Sequence, residues 1–457
     1  MKDLTRGNIS RNLWRFAIPS LISGLFSYAL STIDRVMMGK IVGDIGLAAV
    51  GATGSYFEIL WGLKGALGFA FGSWFTYLVG SGDGGAIKRA YKVNMRVSIL
   101  IGLVIAAGSI LLWRPMFAFL NVPADVFEEA KRYYIVYAAT FPLFIVSGNL
   151  GGAMHAFGNS VFPMCVGFVG ALSNVVLNYI MIVPLKMGAM GAAVATLLVS
   201  AGGCLANAIK LRGELAGLKG ECGHVPLSEY RPILKLLGPT ALQQMVMHLL
   251  AFAIQPSINT LGKTAIAALA VGGSVFGLIA LAYQKLSSGL AVLVGQSMGQ
   301  KKPSIARRGL WITARQILLL TVPVILVLVA CPRIAPLVFL EDPYGETASI
   351  LISYIYCCIP FSISVALNSM LHNFFRGVLR PGVNIAGGIA MGVTRAVLSI
   401  TLIPVIGVYG AFIGYSAGWT ADLLVMLGIY LSKKWKTKDY KKAERAEREA
   451  QLQDVTE

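Results

Sequence analysis

The sequence predicts an all-α polytopic membrane protein: twelve transmembrane helices in two pseudo-symmetric six-helix lobes. Three observations predict it. Mean hydropathy is +0.70. Only 13% of the 457 residues are charged, against about 25% in a soluble domain. The apolar pattern is also written twice. Ile18-Pro19 opens one copy and Gly238-Pro239 the other. Leu47-Ala48-Ala49-Val50-Gly51 returns as Ala268-Leu269-Ala270-Val271-Gly272, and Lys64 falls on Lys285. Gly188-Ala189-Met190-Gly191-Ala192 falls on Gly407-Val408-Tyr409-Gly410-Ala411. Duplicated apolar halves mark many secondary transporters, whose substrate site lies between the repeats.

Apolar runs of spanning length occupy 13–38, 46–79, 92–113, 133–157, 161–184 and 189–211. The second half repeats them at 233–258, 265–298, 309–331, 348–374, 383–404 and 408–431. Each is long enough for a hydrocarbon core of about 30 Å. Six spans return the chain to its starting side, so the halves run parallel, related by an axis along the membrane normal. The second span of each half is too long for the core and is expected to tilt or project beyond it. The N-terminal lobe is read as 1–211, a polar linker as 212–232, the C-terminal lobe as 233–432, and a charged tail as 433–457. The tail mixes Glu with Lys and Arg and is expected to be a solvated helix or disordered. The first apolar run has no small-residue cleavage site and is not read as a removable signal.

A net charge of +18 invites a nucleic-acid reading, but the placement of the charges argues against it. Basic residues crowd into alternate loops: Arg6, Arg11 and Arg15; Lys88, Arg89, Lys92 and Arg96; Lys210 to Lys235; Lys301, Lys302, Arg307 and Arg308; Arg376 and Arg380. That is the positive-inside bias, which sets both termini in the cytoplasm of an inner-membrane protein. The six cysteines have no CxxC spacing, and a free cysteine in an apolar run behaves as a small hydrophobe.

Charge within a span costs roughly 2.5–3.5 kcal/mol on insertion scales, so each such residue needs a reason. Asp34 is the clearest case. It serves as a cation or proton site, or it is an interfacial charge beside Arg35, although adjacent helical residues do not face each other. Asn174 and Asn178 are spaced i, i+4 and share a helix face with one another, and Thr196 lies in the next span. Alone they fit interhelical glue. With a carboxylate they supply hard oxygen ligands for a small cation. Lys64 and Lys285 either snorkel to headgroups or face the passage as a pair. Glu58, six residues before Lys64, does not pair with it locally. His248, Arg395 and Asp422 are single polar positions, most simply bundle or interface contacts. His155 and His372 are repeat equivalents without metal-ligand spacing. No catalytic set emerges, and Gly299-Gln300-Lys301-Lys302 lacks the phosphate-loop pattern.

In these residues the chain resembles the multidrug and toxic compound extrusion (MATE) family. The resemblance covers residues 10–432 and rests on several pieces. They are Pro19, Asp34 and Gly39; Leu47 to Gly51; Val79-Gly80-Ser81-Gly82-Asp83 with Val294 to Gly299; Asn174 to Asn178; and two Gly-x-x-Gly-Ala turns. It implies a monomeric antiporter that exports amphipathic organic compounds by alternating access, driven by Na⁺ or H⁺, with no other cofactor. It also implies a cation site from Asp34, Asn174, Asn178 and Thr196. Asn178 departs from the carboxylate many members carry there. The seventh span lacks the glutamate of the NorM-like branch, which favours the DinF-like branch. The candidates for the substrate cavity are Tyr28, Tyr56, Trp61, Lys64, Gln243, Gln244, Met245, His248, Tyr283 and Lys285. A flippase of the same superfamily, moving a lipid-linked or anionic substrate, is the alternative that paired lysines would suit.

Overall fold

The computed structural model describes residues 3–37, 41–120, 122, 126–340 and 342–456. Every regular element among them is a helix. The first half runs α1 (Ile9–Met37), α2 (Asp44–Ser81), α3 (Gly84–Leu111), the short α4 (Trp113–Phe119), α5 (Phe127–Ala139), α6 (Phe141–Ala156), α7 (Val161–Ile182) and α8 (Gly188–Ala216). The second half repeats that order. It runs α9 (Tyr230–Asn259), α10 (Gly262–Gly299), α11 (Pro303–Ala330), the short α12 (Ile334–Phe339), α13 (Glu346–Cys358), α14 (Ser362–Gly377), α15 (Val383–Ile406) and α16 (Val408–Ser432). A last helix, α17 (Lys438–Thr456), ends the chain.

Ten spans among the described residues are long and apolar enough to cross a membrane, counting α5 with α6 and α13 with α14 as one each. The helices α1 and α2, on the first two apolar runs, complete six per half. The two broken spans break alike, beside Pro142 and Pro360, where a missing N–H interrupts the ladder. The helices α2 and α10 each run 38 residues without a break. At 1.5 Å per residue that is about 57 Å, well beyond a ~30 Å core.

The chain forms two compact units. One holds Ile18–Leu237, the other Leu4–Ala17 with Gly238–Glu457. The helices α1 and α9 thus each change unit just before a proline, Pro19 and Pro239. The sequence division had kept the first residues with the N-terminal lobe. In the second unit Leu13 and Phe16 are buried, with Phe16 against Gly289. The Leu4 N–H donates to Gln296 Oε1 at 2.9 Å, and Gln316 Nε2 donates to the Ser10 carbonyl at 3.0 Å.

The first unit is knit by aromatic rings and by its linker. Phe57, Phe117, Tyr134, Phe141 and Phe144 form one core. Ile233 of α9 packs with Leu67, Phe71 and Val93. Residues 217–229 dock on the start of α3. Lys88 Nζ donates to the carbonyls of Leu218 and Gly220, both at 2.9 Å, and Arg89 pairs with Glu229 at 2.7 Å. In the second unit α15 and α16 lie almost backbone to backbone. A Cβ at Gly410 would come within 2.5 Å of Ile403 N, and one at Gly418 within 2.8 Å of the Met391 carbonyl. Small residues at every fourth position allow that approach.

The tail is the helix that the sequence allowed, α17, but one face of it is docked rather than solvated. Trp435 and Tyr440 are buried, and the Trp435 ring meets Phe374, Phe375, Tyr430 and Tyr440. Glu444 pairs with Lys436 at 2.8 Å and Arg307 at 3.3 Å. Glu447 accepts from Ser304 N at 2.9 Å and from its hydroxyl, at the start of α11. A few apolar anchors inside a charged run carry little weight in an averaged composition, yet they suffice once an aromatic socket is assembled.

Candidate functional sites in each unit

The helices α7 and α8 bring three of the four predicted cation-site residues together. Asn178 Nδ2 donates to Asn174 Oδ1 at 3.2 Å, and Asn174 Nδ2 donates to Thr196 Oγ1 at 3.4 Å. The Thr196 hydroxyl donates to the Ala192 carbonyl at 2.8 Å. Asn178 is buried, while Asn174 and Thr196 are half-buried. The helices approach closely because Gly191 lies against Met181 and Gly170 against Val199. Glu129 of α5 fixes the start of α8 by accepting from Ala189 N at 2.5 Å. This is a favourable place for a carboxylate, since helix N-termini carry orphan N–H groups and partial positive charge. Asp34 belongs to α1, but its side chain lies outside the described residues. Among the described residues no three His, Cys, Asp or Glu side chains gather as a metal centre. A cation here would rely on amide and hydroxyl oxygens, the hard donors suited to Na⁺.

The candidate cavity residues scatter among several environments. Tyr56 turns into the bundle, where its hydroxyl meets Ser109 at 2.6 Å and its ring meets Phe57 and Tyr134. Trp61 meets Phe144 at a tilt of 39°, with centroids 4.8 Å apart. The Lys64 ammonium sits 4.0 Å from the Trp61 centroid and 5.7 Å from that of Phe144, with its Cε against Gly148. Among the described residues Lys64 has no carboxylate partner; its charge is met by ring faces. Lys285 is half-buried on α10, with neither an ion pair nor a ring contact among the described residues. Tyr28, Gln244 and His248 are half-buried, Met245 is exposed, and Tyr283 is buried. Two surface grooves, of about 530 Å³ beside Pro323 and about 480 Å³ beside Cys165, are lined by apolar residues and a lone serine.

Gln243 belongs to a network that sequence reasoning missed. Asp422 on α16 accepts from Asn368 Nδ2 at 2.5 Å and meets His372 Nε2 at 3.1 and 3.2 Å. The other nitrogen of His372, Nδ1, lies 3.2 Å from Gln243 Nε2, and Gln243 Oε1 accepts from Arg376 at 3.4 Å. Asn384 of α15 donates to the His372 carbonyl at 3.1 Å. Gln243, Asn368, His372, Arg376, Asn384 and Asp422 are all buried. Glycines make the room: a Cβ at Gly387 would strike Asp422 Oδ1 at 2.1 Å, and one at Gly388 would lie 3.6 Å from Gln243 Cγ. One signal was available, because Asn368, His372 and Arg376 repeat every four residues and share a face of α14.

Comparison with known proteins adds the family. The MatE family model matches residues 19–180 and 239–405. Over 330 residues the chain is 25% identical to a probable multidrug resistance protein NorM of Neisseria meningitidis serogroup A, covering 67% of this chain and 69% of that one. It is 24% identical over 336 residues to an FAD transporter of Shewanella oneidensis, covering 70% and 72%. A solved MOP-superfamily transporter of Pyrococcus furiosus is described as having a binding pocket of reverse polarity that suggests a different function. It superposes with a TM-score of 0.86 at 19% identity, over 96% of this chain and all of that one. That likeness establishes the fold. Most of the curated relatives matched carry the name NorM, which gives the DinF-like placement no support.

Proposed function

We propose, from the premise that the chain belongs to the MatE family, that it is a cation-coupled antiporter exporting amphipathic organic compounds. Members are multi-pass membrane transporters rather than enzymes and need no cofactor. In this reading the lobes 1–211 and 233–432 open alternately to the two sides of the inner membrane. The protein acts as a monomer with both termini in the cytoplasm, and Na⁺ or H⁺ flows inward through Asp34, Asn174, Asn178 and Thr196. The observation that carries it is the continuous amide–hydroxyl chain from Asn178 through Asn174 to Thr196. It stands in the spans where the MATE resemblance puts the ion site. The relatives named as probable multidrug resistance proteins support this reading. The test is ethidium export from proteoliposomes under separately imposed Na⁺ and proton gradients, with wild type beside Asp34→Asn. Export that follows neither gradient, or that Asp34→Asn retains in full, removes the proposal.

A second reading has an observation of its own. Lys64 holds a positive charge over Trp61 without a carboxylate partner among the described residues. The FAD transporter and the reverse-polarity transporter are relatives whose descriptions depart from multidrug export. An anionic substrate fits such a charge. Transport of FAD in the same proteoliposomes, lost in Lys64→Met/Lys285→Met, would favour it over the first reading.

A further inference from the structure

The helix α17 sorts its side chains by charge. Tyr440, Ala443 and Glu444 are buried and Glu447 is half-buried, all turned to the second unit. Lys438, Lys441, Lys442 and Arg445 are exposed on the opposite side, because residues three, four and seven apart share a helix face. None of these four has an ion pair among the described residues; Glu444 pairs with Lys436, Arg307 and Arg448 instead. The contacts also fix where the tail lies. Its partners are Phe374 and Phe375 in the last turn of α14, Tyr430 near the end of α16, and Ser304 and Arg307 at the start of α11. It therefore lies where these three spans leave the bilayer. Ser304 and Arg307 share a face of α11 with Arg308, Trp311 and Arg315, and those three are exposed, Trp311 by 67%. Leu318 and Leu319 continue that face and are exposed too. An apolar stripe of this kind on a span faces lipid, and a tryptophan at its end sits at headgroup level. The tail is thus on the flank of the unit, beside the bilayer.

We propose that α17 and the outer face of α11 together bind anionic phospholipid headgroups of the membrane that the protein spans. Arg308 and Arg315 supply charge from the span, and Lys438, Lys441, Lys442 and Arg445 supply it from the tail. Phosphate oxygens accept from these donors, and Trp311 sets the depth at which they meet. Charge and place together select the occupant. A cluster of about four to eight Lys and Arg immediately beyond a span is drawn to anionic lipid, and long basic side chains reach across to the phosphates. Among the described side chains of α17, Glu449 is the one acid on the exposed face. A surface helix usually enters a membrane by its apolar side. Here that side is taken up by the protein, and the basic side is left for the lipid. Docking makes the site, because Glu444 and Glu447 hold the helix with its bases turned outward, which a free tail of mixed charge does not do. The site lies within the second unit and stands whatever substrate or ion is moved.

Hydrogen–deuterium exchange of residues 438–449 tests this in the full-length protein, in nanodiscs of phosphatidylcholine alone and of phosphatidylcholine with phosphatidylglycerol. A cation engaged near an anionic surface is worth about fivefold in binding, so exchange in the mixed discs is slower by about fivefold or more. The gain disappears at about 1 M salt, where charges are screened within about 3 Å. Lys441→Gln/Lys442→Gln/Arg445→Gln exchanges as wild type in phosphatidylcholine, because the inner face is untouched, and gains nothing from phosphatidylglycerol. Lys441→Arg/Lys442→Arg keeps the gain. Arg308→Gln/Arg315→Gln lowers it from the other helix and carries the test if the tail variant undocks. Equal exchange of wild type in both discs, equal slowing of the linker 217–229, a gain that survives salt, or a full gain in either glutamine variant overturns the proposal.

Discussion

At the scale of single residues, Asn174, Asn178 and Lys64 meet their surroundings by different means, amide and hydroxyl hydrogen bonds or ring faces, and each means predicts a different outcome. The proposed ion site has one acid and three neutral oxygen-bearing partners. Asp34→Asn should therefore remove coupling without removing packing: gradient-driven ethidium export falls by about 5–150-fold, the usual span of a coupling free energy, while the purified variant elutes as wild type. Asn178→Asp places a second carboxylate one turn from Asn174. Two like charges at one site favour keeping a proton between them, so the pH profile of transport should shift toward alkaline values. An unchanged profile would leave Asn178 as interhelical glue. Lys64 is held by ring faces rather than by a counter-charge. Arginine stacks on such faces and methionine does not bring charge. Lys64→Arg should keep substrate preference, and Lys64→Met should shift it from anionic toward cationic dyes.

Helices meet at distances set by their smallest residues. A Cβ at Gly414 on α16 would lie 2.1 Å from Ser399 Oγ and 3.1 Å from the Arg395 carbonyl of α15. On the same helix, Gly428 has nothing within 4 Å. Gly414→Val should therefore cost about 1–3 kcal/mol by overpacking, seen as earlier loss of the monodisperse species on heating. Gly428→Val should be nearly neutral. Equal effects at both positions would mean that the α15–α16 approach does not depend on its glycines. Arg395, stacked 3.8 Å over Tyr415 in the same interface, shows that this contact also accommodates a cation when a ring face is offered.

For the molecule as a whole, the docked tail ties the chain end to the second unit. Burial pushes the Glu444 carboxyl up, but the Lys436 hydrogen bond and the charges of Lys436, Arg307 and Arg448 outweigh it and hold the group below its usual 4.5. A depressed carboxylate stabilises docking fully above that ordinary value and loses its contribution as pH falls through the lowered one. Docking should therefore be intact at neutral pH and weaken below about pH 4.5. Glu444→Gln/Glu447→Gln should reproduce that weakening at neutral pH, as faster tryptic cleavage between Lys433 and Lys442. Trp435→Ala should do the same by emptying the aromatic socket. A tail cleaved equally fast in wild type and variants would mean that these contacts do not hold it.

The sequence by itself determined the fold class, the number of long helices and the duplicated order. Those follow from apolar length, charge exclusion and a repeat of residue types, all properties of one segment at a time. It also determined that Asn174 and Asn178 share a face, because four residues make about one helical turn. Only the tertiary structure decided what requires two segments far apart in the chain. The first residues of α1 and α9 join the opposite units. Tyr56 turns into packing, and Trp435 finds a socket built from α14 and α16. His372 meets Asp422 across 50 residues of sequence. A lone polar residue in an apolar run looks the same whether it is interhelical glue, a ligand or a relay. What distinguishes these roles is the donor or acceptor on the neighbouring helix, which no local pattern specifies.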